Sequence, residues 1–355
     1  MSEHDPEEAR GTGTVPAAQS DAGAARPVTR ASAGRYRSMG MYGRVLLSAL
    51  GRRAMIVILL AIIVAFALLS DRFATLSNAQ TILQGASALS LLAIGQTLVV
   101  LSGGIDLSVG SLVALSGVIA SLVVQGNPDM LLPAVLAGVG VGLFAGLVSG
   151  LLVAVAGVPP FIVTLGMLTS ASGLAYVFSN GSPISGLPEN FLAISSGSVF
   201  GVQIPIIIMV IAFAAFLILL TRTAYGMRLY AVGGNPTASR IAGVRVPVIY
   251  VSAYAASGAL AGLAGVILAS RVTAGIPTTG AGYELDSIAA VVVGGASLLG
   301  GRGTLRGTAL GLFLIQTLNN GFDILNVTSY VQKIVKGALI VVAVFVDVHA
   351  NRRRS

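Results

Sequence analysis

The chain predicts an all-α, polytopic membrane protein with about ten transmembrane segments and both termini in the cytoplasm. Three observations carry that expectation. Of its 355 residues, 55% are hydrophobic and only 10% charged, against about 25% charged in soluble domains. Extended apolar runs recur from residue 54 to residue 347, and about 20 such residues cross the hydrocarbon core as a helix. The 45 glycines suit helices packed in lipid, where small residues let backbones approach. Backbone polar groups must be paired internally there, which leaves helices or a closed barrel. Apolar runs without strict alternation exclude the barrel.

Residues 1–50 form a polar, arginine-bearing tail rich in Ala, Gly, Ser, Thr and Pro. That composition cannot bury a core and predicts disorder. The tail is too long and polar for the n-region of a cleaved signal peptide. A membrane domain is expected over 51–347 and a second basic tail over 348–355. Within the domain the spans read 54–70, 81–101, 106–125, 131–156, 160–178, 204–221, 247–270, 284–300, 305–325 and 331–347. Glycines crowd one end of the third and of the eighth, which predicts bent or partly re-entrant helices there.

Orientation follows from the basic residues of the short connections. With the N-terminus inside, the inner side holds Arg35, Arg37, Arg44, Arg52, Arg53, Arg222, Arg228, Arg240, Arg245, Arg302, Arg306 and Arg352–Arg354. The outer side keeps Arg72 and Arg271, with Lys333 at its boundary. Lys336, a turn into the last span, is expected to snorkel outward. The bias favours an even number of crossings. It also accounts for the net charge of +8 without nucleic acid as a partner. No cysteine is present, and the two histidines, His4 and His349, lie in the tails. No metal site and no cofactor are expected.

The second and third spans meet at Leu101-Ser102-Gly103-Gly104-Ile105-Asp106. A glycine break followed by one acid points to specialised geometry at one membrane face. Asp106 reads as an N-cap of the third span, complementing its dipole, with a gating role as the alternative. Gly103-Gly104 and Gly110 find a weak echo in Gly300-Gly301 and Gly307. Glu284 and Asp286 open the eighth span in the same capping manner. In the ninth, Gln316, Asn319, Asn320 and Asp323 share a helical face. Amides in lipid are costly unless paired, so this stripe either bonds neighbouring helices or lines a wet path. Gln96 is a lone amide, better suited to joining helices but also a path candidate. The outward connection 179–203 reads as an exposed loop with room for an external partner.

The longest cytoplasmic connection is 221–246. Asn235 is a good N-cap, Pro236 fits the first helical position, and residues 236–242 can form a short helix. Gly243 suits the left-handed position that ends it. Arg240 lies on this helix. The element is either a structured connector or a docking helix for a cytoplasmic partner.

Three blocks, GQTLVVLSGGIDLSVGSLVAL at 95–115, YGMRLYAVGGNPTASRIAGVRV at 225–246 and YELDSIAAVVVGGASLLGGRGTLRGTALG at 283–311, resemble the permease subunits of bacterial ATP-binding-cassette sugar importers of the ribose, xylose and galactose type. The resemblance covers about residues 50–347. It implies a non-enzymatic subunit in the bacterial cytoplasmic (inner) membrane, moving a sugar inward by alternating access. It further implies a cytoplasmic ATP-binding subunit, an extracytoplasmic sugar-binding protein and a second permease, identical or related. By the same resemblance, Gly234, Asn235, Ala238, Arg240 and Gly243 belong to a segment, 222–246, that couples the permease to its ATPase. Ser239 stands where the family commonly has alanine. No phosphate-binding G-x-x-x-x-G-K-[ST] loop is present, so ATP must be hydrolysed by a separate chain.

A secondary transporter or channel without an ATPase is the rival reading. It needs an ionisable group within the spans, and Asp323 is its best candidate. A membrane enzyme finds no nucleophile–base pair and no metal-ligand cluster.

Overall fold

A computed structural model describes residues 55–352, with the side chains of 343 and 346–352 excepted. The expectations for residues 1–50 and for Arg353 and Arg354 lie outside the described residues.

The described chain is helical, and its long helices follow the expected spans in order. They are α1 (Met55–Leu69), α2 (Leu76–Leu101), α3 (Val109–Val124), α4 (Leu131–Ala154) and α5 (Pro160–Ser179). A short α6 (Glu189–Ser196) and a hairpin of β1 (Ser198–Val199) and β2 (Val202–Gln203) precede α7 (Ile204–Arg222). Then come α8 (Ala224–Gly234), α9 (Pro236–Ile241), α10 (Val246–Arg271), α11 (Tyr283–Val293), α12 (Leu305–Ile324) and α13 (Ser329–Arg352). Five helices are long and apolar enough to cross a membrane by length and composition: α2, α4 with its preceding turn, α5, α7 and α10. The chain is a multi-pass, all-α membrane protein.

Helix ends follow local chemistry. Thr75 caps α2 by accepting from the Asn78 N–H at 3.2 Å. Pro160 opens α5, and Asn180 closes it in the left-handed region at φ 49°. Thr304 caps α12 by accepting from the Gly307 N–H at 3.1 Å.

Helix α10 is central and packs against α2, α3 and α4. Its contact with α4 is a ladder of small residues. A Cβ at Gly142 or Gly146 would collide with the backbone of Gly258 or Tyr254. Such close approach supplies dispersion contacts where lipid offers no hydrophobic drive. From Ala86 onward α2 is buried throughout. Large apolar side chains stay exposed on α1, α4, α5, α7 and α13, among them Leu68, Leu136, Phe161, Ile211 and Val341. Those faces suit lipid or another membrane subunit.

Three expectations need correction. The eighth span does not reach residue 300: α11 has 11 residues, about 16 Å at 1.5 Å per residue, too short to cross alone. Gly294 and Gly295 stop it, Gly295 at φ 84°, and a non-helical link leads to α12. The last helix does not end at 347 but continues to Arg352. The outward connection is not a simple exposed loop. Its α6 packs on the end of α10, with Phe191 fully buried and its carbonyl accepting from Ser270 Oγ at 2.8 Å.

Candidate functional site

After α2 the chain reverses at Gly103, φ 92°, and returns extended along the helix it has just left. The Gln96 amide, oriented to satisfy both groups, donates to the Asp106 carbonyl at 3.0 Å and accepts from the Asp106 N–H at 3.3 Å. It thereby stands in for a strand partner. Gln96 is fully buried, and its amide is occupied by this clamp.

Asp106 is buried. One carboxylate oxygen accepts from the Ser108 N–H at 2.9 Å and from its hydroxyl at 2.6 Å. The other accepts from Ser257 Oγ at 2.8 Å. Ser257 lies eleven residues into α10, about 16 Å along its axis. The acid is therefore neither at a membrane face nor the N-cap of α3, whose cap is Ser108. The extended return carries it inward, and it ties the turn to the central helix.

Behind the reversal, three turns meet backbone to backbone. The Gly301 N–H donates to the Leu101 carbonyl at 3.0 Å. A Cβ on Gly300 would lie 2.7 Å from both the Gly103 Cα and the Gly233 carbonyl oxygen. A Cβ on Gly233 would collide with the Leu101 carbonyl and come within 2.6 Å of the Gly301 nitrogen. The end of α2, the α11–α12 link and the end of α8 thus form one junction without space for side chains. Tyr230 of α8 adds a hydrogen bond to the Gly303 carbonyl at 3.0 Å. Burial pushes its phenol above the usual range, so it stays a donor. Gly103, Gly300 and Gly301 come together here. Gly104 instead lies against Tyr254, and Gly110 against Glu284.

Directly after the junction, α9 forms as its local sequence dictates. Asn235 accepts from the Ala238 N–H at 2.9 Å, with Pro236 at the first helical position. At the other end the Gly243 N–H donates to the Arg240 carbonyl and the Val244 N–H to the Ser239 carbonyl, both at 3.0 Å. With Gly243 at φ 81°, this is a complete Schellman cap. Ala238, Arg240 and Ile241 are exposed, Ile241 at 84%. Beside α9 a cleft of about 490 Å³ is lined by Arg228, Gly243, Arg245, Val248 and Ile249. Tyr225 joins α8 to α10 by a 3.0 Å bond with Ser252. Gly233 and Tyr230 were missed from sequence, although the Gly233-Gly234 pair marks a close backbone approach.

Along the polar stripe of α12, Asn319 and Asn320 bond neighbouring helices, while the Asn319 Oδ1 is buried without a partner. Asn320 and Asn78 exchange bonds of 2.8 and 2.9 Å. Asn319 donates to Asp286 at 3.4 Å. Gln316 lies against Gly85 of α2. Asp323 accepts from Gln332 at 2.9 Å. Asp286 is no helix cap: it pairs with Lys336 of α13 at 2.9 Å, so Lys336 does not snorkel outward. Glu284 does act locally, accepting from the Gly282 N–H at 3.2 Å. Asn320→Leu should lower stability by about 2 kcal/mol, because the buried Asn78 side-chain oxygen would lose its donor and Asn78 would keep only its 2.9 Å bond to the Phe73 carbonyl. Thermal unfolding of the detergent-solubilised chain measures this. A melting point unchanged from wild type would show that the pair contributes nothing.

Residues 78–344 match a family of permease components described under branched-chain amino acid transport systems. The chain belongs to this permease family. Curated relatives include the ribose import permease RbsC of Escherichia coli strain K12, 44% identical over 296 residues, 82% of this chain and 92% of the relative. The ribose import permease of Bacillus subtilis strain 168 is 42% identical over 292 residues, 81% and 90% of the two chains. The D-allose permease AlsC of Escherichia coli K12 is 36% identical over 291 residues, 81% and 89%. No solved structure matches. The permease is a transport component and not an enzyme, and the capped helix and glycine junction are parts of such a component.

Proposed function

We propose that this permease carries a neutral monosaccharide into the cytoplasm as the membrane subunit of an ATP-driven importer in the bacterial cytoplasmic membrane. Its partners are a cytoplasmic ATP-binding subunit, an extracytoplasmic sugar-binding protein and a second permease, identical or related. Both ends of the membrane domain lie inside, as the arginine distribution favours. The sugar class is supported by relatives at 44% and 42% identity that are ribose permeases, against the amino-acid wording of the broader family.

The observation that carries the mechanism is the α8–α9 element, with α9 capped at both ends and α8 seated on the junction of α2 and the α11–α12 link. An ATPase gripping Ala238, Arg240 and Ile241 would push on α2 and α12 together, without a slack loop between. ATP-driven closure of the partner would then rock these helices about the central α10 and alternate the access.

Co-purification from native membranes, followed by reconstitution, tests the reading. Recovery of an ATPase and a solute-binding protein, with ATP-dependent uptake of ribose, allose or arabinose, is expected. Repeated recovery in gentle detergent without an ATPase would favour a self-contained carrier. A sharper test is Gly243→Val. A β-branched residue at positive φ costs about 1–2 kcal/mol, strain that would unseat the cap. Solute-stimulated ATP hydrolysis should fall several-fold while the chain still assembles; an unchanged rate would refute the cap's role.

A further inference from the structure

The geometry points to a second functional place in this chain: a solute subsite between α3, α5 and the link preceding α11, which holds a neutral polyol during passage. The proposal rests on the sugar-import reading above.

A cavity of about 160 Å³ opens there, lined by Ser111, Ser172, Tyr176, Thr278, Thr279 and Glu284. At about 30 Å³ per water, it has room for roughly five waters or one small solute, not for an oligosaccharide. Its polar groups are poorly used by the protein. Among the described residues, the hydroxyls of Ser172, Tyr176, Thr278 and Thr279 make no hydrogen bond to the chain. Elsewhere the hydroxyls of this helical protein mostly bond back to their own helices, as Thr97, Thr164 and Thr221 do. Tyr176 and Thr278 are exposed and Ser172 and Thr279 half-buried, so all four hydroxyls are accessible to water or a ligand and can donate or accept.

The Glu284 carboxylate completes the lining. Both of its oxygens share a single donor, the Gly282 N–H, at 3.2 Å. A carboxylate has about four acceptor positions, so most of its capacity faces the cavity. It lies flat on Gly110, where a Cβ would collide with it. That contact gives Gly110 a reason to lack a side chain. On α5, Thr169 is exposed one turn before Ser172 on the same helical side.

This set selects a chemical class. A carboxylate accepts two hydroxyls of a polyol, the serine and threonine hydroxyls donate or accept as required, and the Tyr176 ring offers an apolar face for C–H groups. No basic side chain lines the cavity. A sugar acid or sugar phosphate would meet Glu284 without a counter-charge and should be rejected.

The chain has no cysteine, so Ser172→Cys places a single thiol on it. The experiment uses the permease reconstituted with its ATPase and binding protein, D-ribose as probe and D-ribonate as its anionic counterpart. During ATP turnover, ribose should slow maleimide labelling of the introduced thiol several-fold, and ribonate should not. Glu284→Gln should abolish that protection and slow ribose uptake by about tenfold, the loss expected of one charge-assisted hydrogen bond. Binding-protein-stimulated ATP hydrolysis should persist in that variant. Should Glu284→Gln not assemble, Ser172→Leu, which fills the cavity from α5 without touching the Gly282 bond, should give the same uptake loss. A complex that carries ribose yet labels equally with and without it would overturn the subsite alone. A complex that hydrolyses ATP but carries no neutral monosaccharide would overturn the importer reading and the subsite with it.

Discussion

Gly233→Ala should cost this permease most of its transport activity, whereas Gly140→Ala should leave transport intact. Both glycines lie within helices, Gly233 in α8 and Gly140 in α4. By helix propensity alone each change is favourable, by about 1 kcal/mol. The two differ in what the new methyl meets. At Gly140 nothing lies within 4 Å. At Gly233 the methyl would run into the Leu101 carbonyl, the acceptor of the Gly301 N–H. These neighbours are backbone atoms pinned by positive-φ turns at Gly103, Gly300 and Gly301, so they cannot rotate away as a side chain could. Overpacking of this kind costs typically 1–3 kcal/mol. Relief comes only by lifting α8 off the junction, which also threatens the Tyr230–Gly303 bond. In the proposed mechanism that movement separates the ATPase-facing helix from α2 and α12. Uptake should fall by at least about tenfold, the equivalent of 1.4 kcal/mol, with ATP hydrolysis losing its dependence on solute. Equal uptake by the two variants would mean that the junction carries no force.

The same junction shows what the sequence disclosed and what it withheld. Helix α9 was readable because its determinants are adjacent: Asn235, Pro236 and Gly243 act within a few residues of one another. The break at Gly103-Gly104 was readable for the same reason, as was the positive excess on one set of connections. That two glycine turns 197 residues apart touch was hidden, because a shared G-G motif carries no information about contact. Asp106 was misplaced because a short spacing from the glycine pair looks identical whether the chain turns outward or folds back along α2. Only the remote partner Ser257 fixes its depth. The end of α11 was misjudged for a different reason. Gly294-Gly295 is a stop signal, but the apolar residues beyond it imitate a continuing span. The stripe on α12 had the correct face, yet its role turned on Asn78 and Asp286, partners that periodicity cannot name.

Removing one partner of the ion pair between α11 and α13 should be the most costly single loss of charge pairing among the described residues. Lys336 and Asp286 form a 2.9 Å pair with side-chain exposures of 25% and 6%. The sequence leaves each a plausible role alone, one snorkelling and one capping, and the structure denies both by bringing them together. Lys336→Met removes the cation and keeps the stem length. Asp286 is then a buried charge that keeps, among the described residues, the 3.4 Å bond from Asn319. Breaking one side of such a pair costs about 3–5 kcal/mol. The solubilised chain should therefore melt well below wild type, and its yield from membranes should fall. Asp286→Leu alone should also destabilise, by stranding the ammonium. The double variant D286L/K336M tests whether the loss is electrostatic. With both charges gone and apolar groups of similar size in place, stability should return most of the way, because replacing a buried pair by packed hydrophobic residues is often neutral. Additive losses in the double variant would assign the damage to packing around α11 instead. Recovery would identify α13 as a helix clamped to the short α11 by one ion pair, at the place where α11 is too brief to hold itself across the bilayer.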